Sequence, residues 1–196
     1  IMPPFDSAGM SACHAALNRN KSGIAIDMKT PEGVAIVREL VKEYDVVVEQ
    51  FRPGVMSRLG IGYEELKAIN PGLIYCAITG YGQDGVYRNR AGHDLNYLAI
   101  AGTLDYTGRR DQGPLPLPIQ AADITGGMYA VCGILAAVYH RLKTGEGQFV
   151  EVAMVEALRS FVLVEHACAA TTEPPLGPAG YPRITTPDRR PFATTD

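Results

Sequence analysis

The sequence predicts an α/β protein built on a doubly wound, Rossmann-like parallel sheet. Two apolar runs, "VVV" at 46–48 and "LIYCAI" at 73–78, are continuous rather than alternating, as in strands covered on both faces. Segments of helical period lie before and between them, which sets up the strand–helix–strand order of such folds. Glycine-bearing loops follow both runs, at the carboxyl ends where open parallel sheets gather ligands.

Each element has a local cause. Residues 1–16, with Pro3, Pro4 and Gly9, read as loop. "KSGIAIDMK" (21–29) places Ile24, Ile26 and Met28 two apart and reads as a strand. A helix follows over 30–44: Thr30 caps it, Pro31 fits its first position, and Val34, Val37, Leu40 and Val41 repeat at helical spacing. "DVVVEQF" (45–51) is a buried strand. Short helices are expected around 56–59 and 63–69, then a strand in "GLIYCAITGYG" (72–82). Residues 93–104 are helical, and His93 and Asp94 open that helix near its amides. "TGRRDQGPLPLP" (107–118) is a loop that proline and glycine keep open. A long apolar helix lies within 123–148, with small residues along it and Gly145 at its C-terminal cap. A strand at 149–152 runs into a further helix. Beyond Ala170 the chain is a proline-rich linker, with an edge strand and turn expected at its end.

Bulk composition excludes some function classes. The 196 residues are 46% hydrophobic and 20% charged, a globular balance, with a net charge of −3. Lysines and arginines are scattered, and no nucleic-acid motif is present, so no nucleic-acid partner is expected. The apolar run from Met128 to Tyr139 is too short for a bilayer, and no membrane association is expected. Cys13, Cys76, Cys132 and Cys168 lack metal or disulfide spacing and suit a reducing compartment. The four histidines show no ligand spacing, so no metal is expected. No signal-peptide pattern is present, and the expected location is cytoplasmic.

Five stretches then occur in one order: "LNRNKSGIAIDMKTPEG", "DVVVEQFRPGVMSRLGIGYEELKAINPGLIYCAITGYGQDG", "AGHDLNYLAIAG", "ADITGG" and "GILAAVYHRLKTGEGQFVEVAMVEA". Over residues 17–156 the chain resembles the family III CoA-transferases, the group that includes α-methylacyl-CoA racemase. The resemblance implies an α/β large domain, a smaller second domain and a homodimer of interlocked rings; on it, 1–168 is expected to be part of the CoA-binding large domain, lacking the family's opening strand and helix, and 169–196 a linker toward the second domain. It implies coenzyme A, bound as an acyl-CoA thioester, with a carboxylic acid as a further substrate in transferases.

The resemblance also implies roles. Asp123, in "AADITGG", matches the aspartate that attacks the thioester and becomes a mixed anhydride; covalent catalysis of that kind splits acyl exchange into easier steps. Gly126 and Gly127 would leave room and backbone donors for the thioester oxygen. His93, thirty positions before Asp123, matches the histidine of the racemase "GHDxNY" stretch. The two would act on opposite faces of the α-carbon, as racemisation requires. Asp94 would orient or cap in support of His93. The adenine and phosphate end of CoA would meet Ile26, Lys29, Gln50, Phe51, Arg52 and Arg58, where arginine forks suit phosphate and Phe51 can wall the adenine. Gln50 departs from the asparagine frequent there. Thr79 and Gly80 would lie near the pantetheine. Three activities follow as alternatives: 2-methylacyl-CoA epimerisation by proton transfer between His93 and Asp123, CoA transfer between carboxylic acids through an Asp123 anhydride, and CoA binding without turnover.

Overall fold

The computed structural model describes residues 3–107, 113–189 and 191–194. In chain order the elements are α1 (Ala12–Leu17), α2 (Pro31–Leu40), β1 (Val46–Glu49), α3 (Val55–Arg58), α4 (Tyr63–Lys67), β2 (Ile74–Thr79) and α5 (Asp94–Ala101). They continue with a 3₁₀ turn at Thr103–Tyr106, then α6 (Ala121–Thr144), β3 (Phe149–Ala153), α7 (Met154–Phe161), α8 (Leu163–Ala167), a 3₁₀ turn at Cys168–Thr171, and α9 (Pro182–Thr185). The three strands form one parallel sheet in the order β1-β2-β3, with Val47 opposite Tyr75 and Cys76 opposite Val150.

Helices cover both faces of β2, which explains its unbroken apolar run. Tyr75 and Ala77 point into a cluster with Val41, Met56, Ile61, Leu66 and Leu73. Cys76 points the other way, against Ala130 of α6 and Val152 of β3. A third cluster joins α5 to α6 and α7 through Tyr97, Leu98, Ala101, Ala122, Val155 and Leu158. Helix α6 lies close on the sheet because it carries glycines there. A Cβ on Gly133 would fall 2.7 Å from Val150 Cγ1, and one on Gly126 would fall 2.7 Å from Met154 Cγ. Its C-terminal end is tied down by Arg141, which pairs with Asp45 at 2.9 Å and donates to Gly72 O at 3.2 Å.

Local signals hold at α2, where Thr30 Oγ1 accepts from Gly33 N at 3.1 Å, and at Gly145, which ends α6 with φ +81°. The strand expected at 21–29 does not form. Asp27 turns the chain instead: its carboxylate accepts from Lys29 N and its carbonyl from Thr30 Oγ1. That Asx-type turn leads straight into α2, and the extended residues before it pair with no strand. The helix expected to reach residue 44 is α-helical to Leu40 and continues as turns over 41–43, with Val41 N donating to Val37 O at 3.1 Å and Tyr44 N to Leu40 O at 3.2 Å. Among its described residues beyond Thr171 the tail holds one short helix, α9, and residues 191–194 form no strand. Of the open loop expected at 107–118, residues 108–112 lie outside the described set, as do residues 190, 195 and 196 of the expected edge strand. The apolar run at 128–139 understates its helix: α6 has 24 residues and by length and composition alone could cross a membrane. Here it packs on β2, β3, α5 and α7.

Candidate active site

Because the strands are parallel, their carboxyl ends (Glu49, Thr79 and Ala153) share one edge of the sheet. A cleft of about 610 Å³ opens there between the loop after β1, the loop after β2, and the first turns of α5, α6 and α7. Gln50, Phe51, Arg52, Thr79, Gly80, His93 and Asp123 all line it.

His93 precedes the first residue of α5 with extended backbone, φ −133° and ψ 176°. Its N–H donates to Asn96 Oδ1 at 3.0 Å, the reach-back bond of a helix start, and this sets the imidazole at the cleft. Asp94 is the first residue of α5. Its Oδ1 accepts from Ala122 N, the second residue of α6, at 2.6 Å. One bond therefore joins the N-terminal turns of two helices, and His93 and Asp123 line a common cavity beside it. Asp123, the third residue of α6, sits on the exposed side of that turn. Burial raises its carboxyl above the usual range, the negative Asp94 adds to the rise, and His93 offsets part of it.

The loop after β2 is held by buried groups. Thr79, 6% exposed, accepts from Gly82 N at 3.0 Å through its Oγ1 and so shapes the turn. Gly80 O accepts from Val155 N at 3.1 Å. Tyr97 wedges between two glycines: a Cβ on Gly80 would fall 2.5 Å from its ring, and one on Gly92 2.6 Å. The Tyr97 hydroxyl donates to Gly92 O at 2.7 Å. Burial, Tyr81 and Asp123 all raise its phenol, while Arg52 lowers it.

The loop after β1 differs. Glu49 Oε2 accepts from Phe51 N at 2.6 Å and pins the turn; burial raises the Glu49 carboxyl, an effect that this bond partly offsets. Phe51, Arg52 and Arg58 are exposed. Arg58 stands outside the cleft lining but near it, since a Cβ on Gly54 would meet Arg58 Nη1 at 3.3 Å and Arg88 Nη2 at 3.8 Å. Ile26 and Lys29 precede α2, on either side of the Asp27 turn, and do not line the cleft. Asp94 is likewise behind the wall, where it bonds α6.

Sequence reasoning missed Arg88 and Arg90, which line the cleft from a loop without periodic pattern. The Arg90 guanidinium lies 4.8 Å from the Tyr87 ring centroid, and Tyr87, Tyr81 and Tyr97 contact in succession. The dense "YRNR" beside "GHD" was the available signal. The two glycines after Asp123 also divide. Gly126 is buried on Met154, whereas Gly127 is open and lines the cleft. Both lie inside α6, so their amides belong to the helix ladder and are not spare donors for a thioester oxygen.

A larger hollow of about 760 Å³ lies between the 3₁₀ turn at Thr103–Tyr106 and the proline-rich tail. Among the described residues Asp105 is the one carboxylate lining it. Among the described residues no group of three histidine, cysteine or carboxylate side chains could hold a metal.

Comparison with known proteins finds chains similar to this one. The chain is 42% identical over 159 residues to the succinate–glutarate CoA-transferase of Agrobacterium fabrum, covering 79% of this chain and 40% of the relative. It is 43% identical over 141 residues to the human α-methylacyl-CoA racemase, covering 71% of this chain and 37% of the relative. The crystal structure of a CAIB/BAIF family protein from Brucella suis superposes with a TM-score of 0.79 at 41% identity, over 84% of this chain and 44% of that one. The chain thus spans about two fifths of the length of the curated relatives it matches. The family model described as CoA-transferase family III matches residues 1–196, and the chain belongs to that family.

Proposed function

We propose that the cleft holds an acyl-CoA thioester with its reacting end between His93 and Asp123, and that the whole protein epimerises 2-methylacyl-CoA. The observation that carries this reading is that an imidazole and a carboxylate, brought from two helices, line one cavity. In the reaction one of the pair takes the α-proton and leaves an enolate of the thioester. The other returns a proton to the opposite face. A carboxylate with a raised pKa is better matched to such a transfer than a free one. Arg52, Arg58 and Arg88 supply cations for the phosphates of CoA at the far end, and Arg90 adds a fourth.

A second reading is CoA transfer between carboxylic acids. Asp123 would attack the thioester carbonyl and expel the CoA thiolate, leaving an acyl–Asp123 anhydride. The acceptor carboxylate would attack the Asp123 carbonyl of that anhydride and release the donor acid. The CoA thiolate would then attack the acceptor carbonyl of the new anhydride, giving the acceptor thioester and freeing the Asp123 carboxylate. The names of several similar relatives, among them the Agrobacterium enzyme, favour it. Both readings use Asp123; only the first uses the His93 imidazole as a proton carrier.

We read residues 1–168 as part of the large domain and 169–196 as a linker, in keeping with the scant regular structure beyond Thr171. The whole protein is read as a homodimer, supported by the exposed Met128, Val131, Leu135 and Leu142 along α6. A cytoplasmic location is the corresponding expectation.

The test uses the full-length protein in heavy water with a 2-methylacyl-CoA, followed by NMR at the α-proton. Exchange that His93→Ala abolishes supports epimerisation. Absence of exchange, with CoA passing to an added acid, establishes the second reading in its place.

A further inference from the structure

We propose that Asp94 is a positioning residue for Asp123 rather than for His93: reaching from α5, it caps the first turn of α6 and places a second negative charge beside the reacting carboxylate. The inference rests on Asp123 being the reacting group.

Four observations lead to it. Helix α6 lacks a cap of its own, because Gln120 makes no side-chain bond to the first turn. Ala122 is 0% exposed, so its N–H has no access to water and needs a protein acceptor. Asp94 Oδ1 supplies that acceptor at 2.6 Å, across 28 residues of chain. No hydrogen bond joins Asp94 to the His93 imidazole among the described residues; His93 is oriented instead by Asn96, which accepts from its backbone N–H. A carboxylate at a helix N-terminus is favourable against the helix dipole, so the bond is both a cap and a charge complement. With the far end of α6 fixed by Arg141, Asp94 sets where the first turn, and with it Asp123, stands.

The same carboxylate acts on Asp123 through space. The charged and titratable groups around Asp123 are His93, Asp94 and Tyr97 from α5, and Arg52 from the loop after β1. Arg88, Arg90 and Tyr81 face it from the loop after β2, whereas α7 brings only Met154 to the cleft. Asp94 is the one neighbour in this set whose negative charge raises the Asp123 carboxyl.

Two substitutions separate the cap from the charge. Asp94→Asn keeps an oxygen acceptor for Ala122 N and removes the charge. Asp94→Ala removes both. The experiment measures kcat and KM against pH for the full-length protein and both variants, in whichever of the two acyl-CoA reactions it catalyses, with thermal melting as a control. For Asp94→Asn the acid limb of kcat/KM moves to lower pH, with plateau kcat within about threefold of the parent. For Asp94→Ala, kcat falls roughly ten- to a hundredfold through misplacement of the first turn, with KM for acyl-CoA nearly unchanged. An acid limb that stays in place in Asp94→Asn overturns the proposal, and so does an Asp94→Ala enzyme with full kcat. Should Asp94→Ala fail to fold, the acid limb of Asp94→Asn decides. Asp123→Asn is the reference: if it keeps full kcat, the reading of Asp123 fails; if it is dead while Asp94→Asn leaves the limb unmoved, the positioning proposal alone fails.

Discussion

The two ends of the cleft are built on different physics. At the end of β2 the wall is buried and fitted: Thr79 holds the turn, and Tyr97 fills the space left by Gly80 and Gly92. At the end of β1 it is exposed and charged, with Arg52 and Arg58 extended over solvent and Arg88 beside them. Under the proposed acyl-CoA reading, the difference matches what each end would do. Reacting groups need fixed placement, which packing provides. A long polyanionic cofactor needs charge, which solvated arginines provide with little need for exact geometry. Substitutions at the first end should therefore act on turnover and folding, and those at the second on KM and salt dependence.

The largest effect is expected from Asp123→Asn in steady-state kinetics, a fall in turnover of roughly a hundred- to ten-thousandfold. Full turnover in that variant would remove the distinction between the ends. Gly80→Ala comes next. Its methyl would sit 2.5 Å from a buried ring, and overpacking of this kind costs about 1–3 kcal/mol, read as a lower denaturation midpoint. Arg52→Ala should leave kcat in place, raise KM for acyl-CoA roughly two- to fivefold at low salt, and lose that difference at high salt. Lys29→Ala should shift KM by less than about threefold, since the side chain is exposed and lies off the cleft.

The smallest effect concerns stability against pH, and its sign is fixed by direction. The Asp123 carboxyl is raised in the folded chain, so the unfolded chain ionises first as pH rises. Folding is then penalised increasingly from the ordinary carboxylate value upward, and the penalty is complete above the folded value. Asp123→Asn should accordingly melt slightly higher than the parent at neutral pH. That gain should vanish in melting curves taken below pH 3.8, the ordinary value. A gain that persists in acid would mean that burial and Asp94 do not raise this group.

The fold was legible where its causes are local. Thr30, Pro31 and the valine spacing specify α2, and the unbroken runs specify β1 and β2. The 21–29 segment has the alternation of a strand, but a strand also needs a partner edge, and alternation cannot report one. Asp27 was the local sign of a turn and outweighs the apolar pattern. In the site, the spacing of His93 and Asp123 was readable only through the motif, because their meeting depends on how α5 packs on α6, through Tyr97, Leu98, Ala101 and Ala122 and the bond that Ala122 N donates to Asp94 Oδ1. Gly126 and Gly127 are identical in sequence terms and opposite in role, since one faces Met154 and the other the cleft. Arg88 and Arg90 were hidden in a loop whose path only tertiary contacts determine.

The most direct test of the central claim is hydrogen–deuterium exchange of the full-length protein with and without CoA, read by mass spectrometry on peptides. Slowed exchange is expected in peptides covering 50–58, 79–82 and 88–97, around the cleft, with no change in the tail hollow at 176–187. Protection of the tail hollow with the cleft peptides unchanged would contradict the claim and move the acyl-CoA site away from His93 and Asp123.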